Sequence, residues 1–251
     1  MAFSLNNRVV LITGSTTGLG KAMALAFAKA GAKVVMNYYN DRARAEASFA
    51  ELQAVGAPCM LTQANVIDAD SVQKLYQEIS DTLGPVDVLI PNATPDQPLK
   101  TIEEYDWDFY QSMIDFFLKS PYLLSKVCLP HMKRQKWGRI INITSEVFSL
   151  GVAPFTAYVA AKGSQTGFSR SLSNELAPFG ITVNMISPGW IPVERHEKDP
   201  QEMKDMYLAT IPAGRWGTPQ DVAAAAIYLA SDEAAFVTGQ TIAVNGGKTF
   251  H

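Results

Sequence analysis

Cysteine is nearly absent: Cys59 and Cys128 are the only two in 251 residues. They are too few for a disulfide framework, and neither stands in a redox-pair pattern. Histidine is as scarce, and His131, His196 and His251 lie too far apart in sequence to suggest a His-rich metal site; no metal is expected. The longest wholly apolar stretch, Val222 to Ala230, falls far short of the ~20 residues that span a bilayer, so no membrane partner is expected. The opening MAFSLNNRVV lacks the basic-then-apolar order of a secretory leader. Long basic runs are missing too: 21 Lys and Arg against 24 Asp and Glu leave a net charge of −3, which argues against a nucleic-acid partner. No repeat, low-complexity tract or Pro/Gly/Ser linker divides the chain. With 47% hydrophobic residues there is ample material for a core, and the expectation is one soluble, cytoplasmic domain over residues 1–251.

Short β-branched runs alternate with longer segments of helical period. Strands are expected at 8–13, 33–38, 59–64, 86–90, 139–144, 181–186 and 241–244. Helices are expected at 18–30, 41–55, 69–83, 101–134 with a break near Pro121, 155–177 and 219–230. Strands apolar on nearly every residue suit a parallel sheet covered on both faces. The alternation predicts an α/β fold: one doubly wound parallel sheet of about seven strands with helices on both faces. The irregular stretch 188–218 interrupts this order, with a helical piece around 200–209.

The first strand runs directly into Thr13-Gly14-Ser15-Thr16-Thr17-Gly18-Leu19-Gly20, and an Ala-rich helix follows. Glycines there permit a tight turn and a close backbone approach to phosphate, while the helix N-terminus offers unsatisfied N–H groups to an anion. The spacing is T-G-x-x-x-G-x-G, with no Walker lysine. Further on, Ser145 closes the strand RIINITS, and Tyr158 and Lys162 stand at i and i+4 on an expected helix, sharing one face. A cation beside a phenol favours the phenolate. Lowering a tyrosine pKa from ~10 by ~3 units takes roughly 4 kcal/mol of differential stabilisation. Ser145 would hold a substrate oxygen by a hydrogen bond.

TGSTTGLG, Asn92-Ala93 after VDVLI, Ser145 with YVAAK, and Pro188-Gly189 after ITVNMIS occur in one order. Together they resemble the single-domain branch of the short-chain dehydrogenase/reductase family, from about residue 6 to 248. The C-terminal block PAGRWGTPQDVAAAAIYLASDEAAFVTGQTIAVNGG is similar to that of 3-oxoacyl-acyl-carrier-protein reductases and sugar or polyol dehydrogenases. The resemblance implies a Rossmann-like fold, a homotetramer and hydride transfer between a nicotinamide cofactor and a secondary alcohol or ketone. Tyr158 would be the general acid/base, Ser145 the substrate-oxygen anchor, and Lys162 the residue that tunes the tyrosine and binds ribose. Gly14, Thr17, Gly18, Leu19 and Gly20 would form the phosphate turn, and Tyr38 would stand at the adenosine ribose. Asn65 and Val66 would meet the adenine edge. Asn92, Pro188, Gly189 and Ile191 would line the nicotinamide side, and 188–218 would be a lid over the substrate.

The sequence departs from the family pattern at four places. Phe117 stands where the family usually has an asparagine that helps hold a proton-relay water near the lysine. Pro91 and Thr94 flank Asn92-Ala93 in place of asparagine and glycine. Val193 replaces the threonine of P-G-x-x-x-T. Finally, the second strand ends Asn37-Tyr38-Tyr39-Asn40, with no acidic residue at 38 to hold a ribose diol. Arg42 and Arg44 are candidates to grip a 2′-phosphate, or else lie on a solvated helix face. NADP is slightly favoured, with NAD left open.

The leading expectation is a reductase of 3-oxoacyl thioesters; the alternatives are a sugar or polyol dehydrogenase and a nucleotide-binding regulator without turnover. Lys133, Arg134, Lys136 and Arg139 form a local basic cluster, either a docking patch for an acidic carrier or, as is more often the case, a solvated helix end. Arg195 and His196 would meet an anionic or hydroxylated substrate or simply face solvent. Trp190, Phe148 and Phe155 would wall an apolar pocket or pack in the core, and Glu146 would turn away from the site. A halohydrin dehalogenase is disfavoured by the glycine turn and Lys162, and a serine hydrolase by the lack of G-x-S-x-G.

Overall fold

A computed structural model describes residues 3–250. Met1, Ala2 and His251, which fall within the expected 1–251 domain, lie outside the described residues. Seven strands form one sheet: β1 (Val9–Ile12), β2 (Lys33–Tyr38), β3 (Cys59–Gln63), β4 (Val88–Ile90), β5 (Gly138–Ile143), β6 (Ile181–Pro188) and β7 (Thr241–Val244). Every pairing is parallel, in the order β3-β2-β1-β4-β5-β6-β7. The helices are α1 (Gly18–Lys29), α2 (Arg42–Gln53), α3 (Ala69–Thr82), α4 (Trp107–Ile114), α5 (Ser120–Gln135), α6 (Val147–Leu150), α7 (Thr156–Leu176), α8 (Gln201–Leu208) and α9 (Pro219–Ala230). No helix among the described residues is long and apolar enough to cross a membrane.

The continuous apolar strands follow from this layering. Val10 and Ile12 face one core with Phe27, Ile90 and Leu229, whereas Val9 and Leu11 face the other with Leu75, Leu89 and Leu124. The inner strands β1, β4, β5 and β6 therefore bury both of their faces, whereas the edge strands β3 and β7 are only partly covered. Helix starts are set by short polar caps: Asp41 accepts from the Arg44 N–H, Asp68 from Ser71 and Asp106 from Phe109. Pro219 opens α9 behind a Thr218–Asp221 capping box.

The expected helix over 101–134 needs correction at its start, while its expected break near Pro121 is present as a π turn. Residues 101–106 are not helical, because Asp106 caps a helix that begins only at Trp107. The break lies ahead of Pro121, in a π-helical turn at Asp115–Lys119 where the Ser120 N–H reaches back to the Asp115 carbonyl. Proline has no N–H to continue the ordinary ladder, and a π turn accommodates the resulting register change. That turn carries Phe117 inward. In chain order the sheet grows from β1 through β2 to β3, then resumes on the other side with β4. Strand order therefore reverses between β1 and β4, and the crevice past their C-terminal ends is where such sheets bind ligands.

Candidate active site

The glycine turn lies at that crevice. Buried Thr13 accepts through Oγ1 from the N–H groups of Asn92 (2.9 Å) and Ala93 (3.0 Å), and Asn92 Nδ2 donates to the carbonyls of Thr13 (2.9 Å) and Gly14 (3.1 Å). The ends of β1 and β4 are thus tied into one unit. Gly14 has φ +59°, and a Cβ there would lie 2.7 Å from the Ala93 Cα; at Gly20 it would lie 2.5 Å from the Gly14 carbonyl oxygen. Only glycine fits either position. Buried Asn37, on β2, is a site residue that no sequence motif marks: its Oδ1 accepts from the Gly14 N–H (3.4 Å), and its own N–H donates to Ser15 Oγ (3.0 Å).

Thr17 precedes α1 as its N-cap without a side-chain cap bond. The Gly18 N–H instead donates to Glu194 Oε2 at 3.0 Å, and Val193 lies against Gly18. Backbone amides at a helix N-terminus, approached over glycines, fit a pyrophosphate, so these residues suit a dinucleotide. At the far end of the crevice Tyr38 closes β2, Asn65 is partly exposed and Val66 is buried. Both nearby arginines are engaged: Arg42 with Glu46 at 2.7 Å and Arg44 with Asp41 at 3.5 Å.

Beyond the end of β5, Ser145 is hydrogen-bonded to Tyr158. Tyr158 and Lys162 lie on the same buried face of α7, as their spacing requires. Phe155 packs against the Tyr158 ring (centroids 4.8 Å apart), and Phe117 meets it edge-on at 5.2 Å. Lys162 Nζ donates to the Ile143 carbonyl (2.7 Å) and to Gln165 Oε1 (3.1 Å), and lies 3.8 Å from the centre of the Phe117 ring. Gln165 is a second site residue outside the motifs, although its i+3 spacing from Lys162 is a signal that can be read.

The expected lysine-driven drop in the tyrosine pKa is not what dominates. Burial pushes the Tyr158 phenol up, opposed by the charge of Arg195 and the Ser145 hydrogen bond. Burial also drives Lys162 well below the ordinary lysine value, with Arg195 adding to that effect. A dry, partly aromatic pocket disfavours both the phenolate and the ammonium. Phe117→Asn would put a further polar partner beside Lys162 where the ring now stands, so kcat is expected to rise by about threefold to tenfold, while removal of the ring costs about 3 kcal/mol of stability. Paired turnover and thermal-unfolding measurements check this; unchanged kcat would mean that the asparagine position has no part in the proton path.

Over the crevice lies the segment 188–218. Pro188 and Gly189 leave β6 joined to β7 through Gly189 N–H to Val244 O (3.1 Å), and Ile191 is buried. Tyr207 on α8 accepts from the Trp190 N–H (2.7 Å), donates to Glu146 Oε1 and stacks on Trp216. Burial, then the bond to Glu146, raises the Tyr207 phenol far above its usual range. Glu146 is buried with one oxygen unpartnered, and Lys248 Nζ stands 3.9 Å from the other. Its side chain is therefore committed to α8 and Lys248; neither Tyr207 nor Lys248 carries a motif. Phe155 walls Tyr158, whereas Phe148 is largely exposed and lies over Gly163. The basic cluster is not one surface patch, because Arg139 is buried in β5, bonded to the carbonyls of Gly138 and Ser231. With its charge buried, its pKa falls to about 10.

A glycine turn at the switch point that suits a dinucleotide, with Ser145, Tyr158 and Lys162 beyond the end of β5, fits the class of nicotinamide-dependent oxidoreductases. The comparisons agree: a family model described as Enoyl-(Acyl carrier protein) reductase matches residues 14–249. A 3-oxoacyl-acyl-carrier-protein reductase of Staphylococcus aureus is 39% identical over 239 residues, covering 94% of this chain and 96% of that one. Its counterpart in Haemophilus influenzae is 40% identical over 246 residues, covering 97% and 98%. A solved structure described as a candidate gluconate dehydrogenase from Agrobacterium tumefaciens superposes with a TM-score of 0.94 at 31% identity, covering 99% of this chain and 98% of that one. This chain belongs to the short-chain dehydrogenase/reductase family and is an NAD(P)-dependent oxidoreductase.

Proposed function

We propose that this chain reduces 3-oxoacyl thioesters to their 3-hydroxy counterparts, with NADPH slightly preferred. The observation that carries this reading is Tyr158, a phenol held protonated by burial and joined to Ser145, as a proton donor to a developing alkoxide must be. Gly14, Thr17, Gly18, Leu19 and Gly20 hold the pyrophosphate, Tyr38 the adenosine ribose, and Asn65 and Val66 the adenine. Asn92, Pro188, Gly189 and Ile191 line the nicotinamide side, with Lys162 at its ribose. Such a cofactor, when bound, supplies the hydride. Ser145 holds the substrate oxygen, and Tyr158 passes its proton to that oxygen as charge develops. Tyr158 is then reprotonated from the Lys162 side, with solvent as the source; Lys162 is held there by its bonds to the Ile143 carbonyl and Gln165 Oε1, and Phe117 closes its other side.

The segment 188–218 acts as the lid of a single cytoplasmic domain. The end of β2 supports only a slight NADP preference: no free carboxylate repels a 2′-phosphate and no unpaired arginine grips one. NADPH is therefore expected to exceed NADH in kcat/KM by less than about tenfold. A homotetramer is supported by the apolar strip of Ile114, Leu118, Tyr122 and Phe168 along α4, the π turn, α5 and α7; sedimentation reading a monomer would overturn it.

One observation favours a second reading, oxidation of a hydroxylated acid such as a sugar acid. Arg195 has no carboxylate partner among the described residues; its Nε lies 3.1 Å from His196 Nε2, while its charge reaches Tyr158 and Lys162. The test pairs 3-oxoacyl thioesters under NADPH and NADH with aldonates and polyols under the oxidised cofactors, for wild type and Arg195→Gln. Thioester turnover with KM changed less than about threefold in the variant supports the first reading. A KM for carboxylates raised at least about tenfold by Arg195→Gln supports the second. Cofactor binding with no turnover on either panel would leave the regulator and overturn both.

A further inference from the structure

The lid reaches the glycine turn through a carboxylate. Glu194 Oε2 accepts the Gly18 N–H at 3.0 Å, and the preceding Val193 rests its side chain on Gly18. Gly18 is the first residue of α1, and the Thr17 side chain before it makes no cap bond. The first amides of a helix lack partners within it and carry positive partial charge, so they attract an anion. Here that anion comes from 176 residues away in the chain.

The turn bearing Glu194 is held on its other sides as well. The Val193 N–H is directed at His196 Nδ1 (3.2 Å), the His196 ring meets Trp190 edge-on, and Trp190 is bonded to Tyr207 of α8. The carboxylate is thus presented by a braced turn rather than by a free loop.

We propose that Glu194 and the cofactor pyrophosphate compete for the Gly18 end of α1, so that Glu194 sets cofactor affinity and couples cofactor entry to movement of the lid. This rests on the cofactor reading given above. A carboxylate and a pyrophosphate directed at the same N–H compete for it, and like charges brought together at this solvent-exposed end of α1 repel, more weakly at high salt. Cofactor entry must therefore displace Glu194, and with it the braced turn 193–196. Val193 strengthens the arrangement: it packs on Gly18 where a threonine would offer a hydroxyl.

The test is direct binding without substrate, followed by fluorescence of the lid tryptophans Trp190 and Trp216, with NADPH, NADH and ADP as probes. ADP carries the pyrophosphate without the nicotinamide. Glu194→Gln removes the charge; Glu194→Asp keeps it on a side chain one methylene too short to reach Gly18 in the present backbone. Both are expected to bind all three probes about twofold to fivefold more tightly than wild type at low salt, the scale of one exposed charge–helix interaction that no longer opposes the probe. Tryptic cleavage at Arg195 and Lys198 should also be faster in both variants before any probe is added. Unchanged or weaker binding in both variants overturns the proposal, as does unchanged cleavage. Tight cofactor binding with these shifts but no turnover of any substrate would sink the functional reading and leave this one standing. Turnover with no shift does the reverse.

Discussion

Tyr158→Phe is expected to lower turnover by about a thousandfold while leaving cofactor affinity within about twofold. The hydroxyl is the only group removed. The ring remains between Phe117 and Phe155, so the fold loses little beyond the Ser145 hydrogen bond, worth about 1 kcal/mol. The pH profile carries the sign of the environment. Burial raises the phenol, so its protonated form persists at pH values where a free tyrosine has begun to ionise. Reduction, which needs that proton, should be flat from about pH 6 to 9 in wild type. Oxidation, which needs the phenolate, should climb through the same range. The measurements are steady-state turnover in both directions and cofactor titration of each protein. Turnover in the variant above about a tenth of wild type would remove Tyr158 from its assigned role.

Gly20→Ala should have the second-largest effect, on stability and cofactor affinity together. A Cβ at Gly20 would stand 2.5 Å from the Gly14 carbonyl oxygen, 2.6 Å from Asn92 Nδ2 and 2.8 Å from the Ser15 Cα. Two of these are backbone atoms, and Asn92 is fixed by its bonds to Thr13 and Gly14. None can yield without opening the β1–β4 junction. Overpacking of this kind costs about 1–3 kcal/mol, and a displaced turn should weaken cofactor binding by roughly thirtyfold or more. Gly167→Ala is the matched control. It also lies in a helix, but its added Cβ meets nothing within 4 Å, so it should be neutral or stabilising by up to about 1 kcal/mol. Thermal unfolding and cofactor titration of the two variants decide the matter; equal behaviour would mean that the close approach at Gly20 is not a constraint.

Local pattern carried much of the architecture. All seven strands lie where runs such as RVVLIT and KVVMNY place them; the inner ones are legible because a strand buried on both faces is apolar nearly throughout, and the edge strands β3 and β7 because short β-branched or apolar runs are bounded by turn chemistry. Expectation and structure part where a local signal is overridden. The segment 101–106 carries its own start signal in Asp106, whose side chain caps the helix at Trp107, but the apolar period around it hides that signal. Arg139 reads as a surface charge by type, but β5 carries it inside, where backbone carbonyls receive its guanidinium. Glu146 follows the strand's end without any pattern to say which way it turns; Tyr207 and Lys248, remote in sequence, decide that.

By itself the sequence determined the parallel α/β layering, the glycine turn and the shared face of Tyr158 and Lys162, since periodicity and turn chemistry act over a few residues and need no distant partner. The tertiary structure alone decided which way the buried titrating groups shift and which remote segments meet. Burial, not the neighbouring lysine, controls Tyr158, and Phe117 faces Lys162 through a π turn. Glu194 meets Gly18 only because β6 and β1 end at the same crevice. Desolvation and anion capture depend on which groups surround an atom in space, and that is set by chain crossings far longer than any sequence motif.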